Sequence, residues 1–221
     1  MEKNLFSIKA LSLSISLSWL LLLVVTSFPG RAATQSLTDA VFDITGQPLK
    51  SGGPYDVRTF IGNYPIIAIY TSNNRCRNLV AVDTVRRSAY SVNIQPANGQ
   101  EPFIRRDNTV KFEFNNDPPC INSSVWQLAP PDPKNNGRQL VTLGGKKGKA
   151  GCDTARTWFK ITKPPRYQDQ NVYSIVSDSS DVCDIPVQPY YIAATGADVN
   201  GARVFAAVVG SPTALVFVPD N

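Results

Sequence analysis

From residue 55 onward, short runs of β-branched and aromatic residues recur along the chain, and each is cut off by turn residues before it can lengthen. The runs are Tyr55 to Phe60, Ile66 to Tyr70, Leu79 to Asp83, Ser91 to Gln95, Val110 to Phe114 and Val125 to Leu128. They continue as Gln139 to Leu143, Trp158 to Thr162, Val172 to Val176, Tyr190 to Ala194, Val204 to Val209 and Leu215 to Val218. Between them stand Gly52-Gly53-Pro54, Asn98-Gly99, Asn135-Asn136-Gly137, Gly144-Gly145 and Asn200-Gly201. No stretch of about twelve residues carries apolar positions three and four apart, and the prolines distributed through the chain would interrupt a helix. The pattern predicts one all-β domain of about twelve short strands, and it leaves barrel and sandwich open.

The first 32 residues read differently. Lys3 and Lys9 precede an apolar run from Leu11 to Val25, which Pro29-Gly30 ends, and Gly30-Arg31-Ala32 offers small residues at a cleavage site. Residues 1–32 are expected to be a secretory signal peptide and 33–221 the folded domain. A membrane anchor is the alternative, but the run is short and carries four serines. Removing Lys3, Lys9, Arg31 and Glu2 from the 22 basic and 17 acidic residues leaves a net charge of +3. That is too mild to argue for nucleic acid. Lys146, Lys147 and Lys149 cluster among glycines, as in a solvated loop.

Export changes how the cysteines are read. Cys76, Cys120, Cys152 and Cys183 are an even set, which suggests two disulfides with three possible pairings. Their spacings fit neither a zinc knuckle nor a redox dithiol, so no metal is expected. Asn122-Ser123-Ser124 is an N-glycosylation sequon and predicts a surface position for Asn122.

The segment Val41-Phe42-Asp43-Ile44-Thr45-Gly46-Gln47-Pro48-Leu49, followed by Gly52-Gly53 and Tyr55-Asp56-Val57, resembles the N-terminal signature of the plant Kunitz inhibitors, the soybean-trypsin-inhibitor family. Val110-Lys111-Phe112-Glu113-Phe114, Pro119-Cys120 and Val125-Trp126 resemble that family's middle strands. Val141-Thr142-Leu143-Gly144-Gly145 with Trp158-Phe159-Lys160-Ile161, then Val182-Cys183-Asp184 and Gly201-Ala202-Arg203-Val204, resemble its later ones. The likeness spans nearly all of residues 40–218 and is strongest to the miraculin-like branch.

The resemblance implies a β-trefoil: three pseudo-threefold units of four strands around a six-stranded barrel. It implies a Cys76–Cys120 bridge, which leaves Cys152 with Cys183. The family's usual second bridge lies wholly after the Trp-Phe-Lys-Ile strand, whereas Cys152 precedes it here. The resemblance also implies a stiff exposed loop offered to a serine-type protease as a substrate mimic, at Gln95-Pro96-Ala97-Asn98-Gly99-Gln100-Glu101-Pro102. Aligned on Pro96, Asn98 takes the specificity position (P1), where a trypsin-like pocket with its buried aspartate favours Lys or Arg. Weak trypsin inhibition follows. Asn98-Gly99 also reads as a plain hairpin turn. Ser51 stands where family inhibitors carry a loop-bracing asparagine, and it has fewer groups to brace with. Arg105 or Arg106 would become P1 only in a shifted register.

The chain has no histidine. Ser-His-Asp and Cys-His catalysis are therefore excluded, and no enzyme activity is expected. Asp178, Asp181 and Asp184 could bind Ca²⁺ in principle, but read more simply as a solvated acidic loop. Ser124 and Arg156, two positions before Trp126 and Trp158, break the Gln-x-Trp motif of ricin-type lectins. What remains is a secreted, extracellular (or vacuolar) monomer without cofactor, whose partner is a target protease and neither nucleic acid nor membrane. The alternative is a non-inhibitory relative with a storage, stress-associated or ligand-binding role.

Overall fold

A computed structural model describes residues 37–220 except 71–76, 86–87, 117–120, 134–135, 185–187 and 200. The expected signal peptide and the expected Cys76–Cys120 bridge lie outside the described residues. Twelve strands are present among those described: β1 (Pro54–Thr59), β2 (Ile66–Tyr70), β3 (Arg77–Asp83), β4 (Ser91–Pro96), β5 (Thr109–Phe114) and β6 (Gln127–Leu128), then β7 (Val141–Thr142), β8 (Phe159–Thr162), β9 (Ser174–Ser177), β10 (Tyr190–Val199), β11 (Ala202–Val208) and β12 (Leu215–Pro219). Each predicted run overlaps one of them, though several strands extend beyond the run.

Six strands pair antiparallel in the order β12-β1-β4-β5-β8-β9. Tyr173, one residue before β9, closes the ring against Leu215. Its N–H donates to the Leu215 carbonyl at 2.8 Å, and the Leu215 N–H donates back at 2.7 Å. The other six strands form three hairpins, β2–β3, β6–β7 and β10–β11. Strand β3 pairs with both β11 and β7, and Leu140 bridges to Ala206, so the hairpins join one another. Each successive group of four strands gives its first and last members to the ring and its middle two to a hairpin. This is the β-trefoil, and ring closure settles what the pattern left open. Closure also removes the exposed sheet edges that would invite aggregation.

Burial alternates along the barrel strands, as in β4, where Val92, Ile94 and Pro96 point inward. At the centre lies Trp126, 1 % exposed. It stacks on Phe112 at 5.0 Å and meets Phe114 at 5.3 Å and Phe205 at 6.4 Å. Its backbone N–H donates to the Phe112 carbonyl, and Val125 bridges to Glu113, so both residues extend the pairing of β5. That is why β6 is two residues long although the apolar run covers four.

Short 3₁₀ turns at Cys152–Thr157 and Pro165–Tyr167 interrupt the strands. The Cys152–Thr157 turn carries the Cys152–Cys183 disulfide, which spans 31 residues and straddles β8 and β9. A loop of that size contributes about 3–4 kcal/mol on the chain-entropy view. A Cys152→Ala/Cys183→Ala variant is expected to lose stability on that scale, read as a lower urea midpoint. An unchanged midpoint would show that packing alone holds the two segments together.

Candidate functional site

The β4–β5 connection begins where the paired ladder ends. Pro96 still pairs with Val110, and the Ala97 N–H donates to the Thr109 carbonyl at 2.8 Å. The chain then leaves the barrel. Asn98, Gly99 and Gln100 are exposed, and Pro102 is exposed beyond them. The Glu101 N–H donates to the Asn98 carbonyl at 3.2 Å, and the Asn98 Oδ1 accepts a longer bond from the Gln100 N–H at 3.4 Å. Residues 98–101 are thus a β-turn. Neither Asn98 nor Gly99 has a positive φ, so this is not the primed hairpin turn that Asn-Gly favours.

The returning arm is fastened to the segment that precedes β1. The Ser51 N–H donates to the Pro102 carbonyl at 2.9 Å, Lys50 bridges to Phe103, and the Ile104 N–H donates to the Leu49 carbonyl at 2.8 Å. Val41 closes the set, donating to the Ile104 carbonyl at 2.9 Å, and Val41, Leu49 and Ile104 are all fully buried. Two tyrosine hydroxyls pin the same platform: Tyr55 accepts the Lys50 N–H and Tyr173 accepts the Phe42 N–H, each at 2.8 Å. Burial, the main influence on both phenols, raises their pKa and keeps them neutral. Asp43 orders the bend between them, its Oδ1 accepting from the Thr45 N–H, the Thr45 hydroxyl and the Gln47 N–H.

A brace absent from the sequence reading crosses the base of the connection. Asn108 Nδ2 donates to both Glu101 carboxylate oxygens, at 3.3 and 3.4 Å, and Arg105 Nε lies 3.7 Å from the same carboxylate. Asn108 follows Asp107, whose left-handed φ of 61° turns the chain back into β5. An asparagine just before a strand was the only available signal. Ser51 supports the loop through its backbone N–H. Arg106 donates to the Asp39 carboxylate at 3.0 Å and to the Thr38 carbonyl at 3.1 Å. Both arginines therefore sit on the paired arm and are engaged there.

The family model described as trypsin and protease inhibitor, the legume Kunitz family, matches residues 41–218. The chain belongs to the plant Kunitz inhibitor family. Miraculin from Synsepalum dulcificum is 30% identical over 152 residues, covering 63% of this chain and 67% of that protein. Among solved structures, the Kunitz-type cysteine protease inhibitor of potato superposes with a TM-score of 0.71 at 22% identity, covering 82% of this chain and 97% of that one. Soybean trypsin inhibitor in complex with porcine pancreatic trypsin gives 0.64 at 21% identity, covering 83% and 100%. At such identities the structural likeness shows the Kunitz fold. The family is one of inhibitors, not enzymes.

The remaining sequence-derived candidates occupy other parts of the Kunitz domain. Asn122 is exposed, as the sequon predicts. The acidic loop is less solvated than expected. Lys160 of β8 donates to Asp178 at 3.0 Å and Asp181 at 2.9 Å, and the Thr109 hydroxyl reaches Asp181 at 3.1 Å. Asp184 is exposed. Among the described residues, no cluster of three potential metal ligands occurs. In the lysine cluster, Lys147 pairs with Glu113 at 2.7 Å and so is not purely solvated.

The Lys160 triad makes stability depend on pH. Burial by itself raises Asp178, but hydrogen bonds from Ser180 and Lys160 outweigh it and hold the carboxyl below its ordinary value. Burial by itself lowers Lys160, but bonds to Asp181 and Asp178 outweigh it and the ammonium is raised. The depressed Asp178 stabilises the fold above the ordinary carboxylate value, and that stability is lost as pH falls through its folded pKa. The raised Lys160 contributes fully below the ordinary lysine value and loses that as pH rises through its folded pKa. Lys160→Met is expected to flatten the loss of stability between about pH 5 and pH 2. Urea unfolding over that range checks this, and curves parallel to the wild type would contradict it.

Proposed function

We propose that this Kunitz protein is a secreted endopeptidase-inhibitor homologue that offers the Pro96–Pro102 segment to a serine-type protease in a substrate-like manner. Asn98 fills the specificity position, and trypsin is inhibited weakly. The observation that carries this reading is the exposed tip at Asn98-Gly99-Gln100, held between the end of β4 and an arm hydrogen-bonded to a buried platform. Such pre-organisation limits the entropy lost on binding. The tip itself is imperfect. A protease reads an extended strand, and the Asn98–Glu101 turn bond must open first, at about 1 kcal/mol. Asn98 then leaves a trypsin-like pocket aspartate without a cation.

Soybean trypsin inhibitor has been solved bound to porcine trypsin, which supports a serine-type target. The potato relative, a cysteine protease inhibitor, makes that class the second arm of the test. The likeness to miraculin leaves open a second reading, a non-inhibitory trefoil with a storage, stress-associated or ligand-binding role. Secretion after cleavage near Ala32 and a glycan on Asn122 belong to the proposal, as do a monomeric state and the Cys76–Cys120 bridge. An inhibition panel against serine, cysteine and aspartic proteases, with mass spectrometry of the Asn98-Gly99 bond, decides between the readings. Inhibition of a serine protease with slow cleavage at that bond supports the first. No inhibition in any class leaves the second.

A further inference from the structure

A cleft of about 630 Å³ opens between the first and third trefoil units, and no residue from 95 to 108 lines it. It is bounded by the β1–β2 connection, the end of β3, the Pro165–Tyr167 turn, β10, β11 and the 210–214 segment. Its volume falls within the range of small-molecule sites. The walls are mainly apolar and aromatic, with Ile61, Tyr64, Tyr167 and Tyr191 as the large side chains. Phe60 meets the Tyr167 ring edge-on at 5.1 Å, which fixes one wall, and Pro164 and Pro165 stiffen the backbone beneath it. Ile61 is 73% exposed, a large apolar group left at the mouth.

Among the described residues lining the cleft, the charge has one sign. Arg166 and Arg203 line it, and no Asp or Glu appears among the described lining residues. Asp83 lies between two lining residues, Val82 and Thr84, but is itself fully buried and accepts the Val85 N–H at 3.0 Å. Arg203 is positioned rather than loose, since its Nε donates to the Thr195 carbonyl at 3.2 Å, and a guanidinium suits an anionic group. Aromatic walls beside two guanidinium groups suit a ligand that is apolar in its body and acidic at one end. We propose that this cleft is a second binding site, distinct from the protease-facing loop, for a small molecule with a flat apolar body and one carboxylate or sulfonate group.

Anilinonaphthalene sulfonate is the probe, and N-phenylnaphthylamine, which lacks the sulfonate, is its neutral control. Fluorescence titration of the folded protein is expected to give one saturable site with a dissociation constant of about tens of micromolar for the sulfonate. Arg166→Gln/Arg203→Gln is expected to weaken the sulfonate about tenfold or more and leave the neutral control within about twofold. Tyr191→Ala is expected to weaken both. Because the sulfonate also lights up partly unfolded chains, the same samples are melted: bound ligand must raise Tm with concentration. A lowered Tm, the absence of saturation, or sulfonate binding untouched by the arginine variant would overturn the proposal. A dimer in sedimentation whose dissociation the cleft variants promote would do so too, since a second copy would then be the occupant.

Discussion

An Asn98→Arg variant is expected to bind trypsin at least about 30-fold more tightly than the wild type. The gain comes from restoring the partner of a buried charge, since removing one member of such an interfacial pair costs about 2–5 kcal/mol. The substitution also deletes the Asn98 Oδ1 that accepts the Gln100 N–H, which loosens the turn a protease must open. Gly99→Ala adds to the effect. Gly99 has no positive φ, and an added Cβ would meet nothing within 4 Å, so alanine fits and narrows the unbound ensemble. That contributes about 0.4–1 kcal/mol, or roughly a further two- to fivefold. Steady-state inhibition constants for wild type, single and double variants read the series. An arginine variant that binds no better would mean the tip is not what trypsin sees.

Trp126→Ala is expected to cost about 3–5 kcal/mol of stability, the range for removing a buried aromatic ring. Few positions link the units so directly: Trp126 packs on Phe112 and Phe114 from the second unit and Phe205 from the third. Among the described residues, its buried indole nitrogen has no hydrogen-bond partner. A buried unmet donor carries a desolvation penalty of about 1–3 kcal/mol, and phenylalanine removes that donor while keeping most of the ring volume. Trp126→Phe is therefore expected to cost less than half as much as the alanine change. Urea midpoints of the three proteins decide it. Equal losses for Phe and Ala would show that the ring's full width, and not its bulk near the Phe112 stack, holds the barrel.

The strands were legible because each needs a dense local run of β-branched and aromatic residues, and that signal lies within five or six positions. Their lengths were less so. Val125 and Trp126 belong by composition to β6, yet they hydrogen-bond to β5, a choice made by a partner elsewhere in the chain. The same limit hid the chemistry around Lys160. Asp178 and Asp181 look like a solvated loop until the fold sets β8 beside them. At the loop, the bracketing prolines and Asn98 could be read, but the Asn108–Glu101 brace needed the turn at Asp107 to bring the two side chains together. The arginine-lined cleft gathers residues from six separated segments, so no local motif announces it.

Hydrogen exchange on the complex tests the protease-facing assignment most directly. The Asn98→Arg protein is mixed with trypsin whose nucleophilic serine has been replaced by alanine, so that the loop binds uncut, and exchange is compared with the protein alone. Slowed exchange confined to peptides covering residues 97–102 and the adjoining platform is the predicted result. Slowed exchange on another face, with 97–102 unchanged, would contradict it.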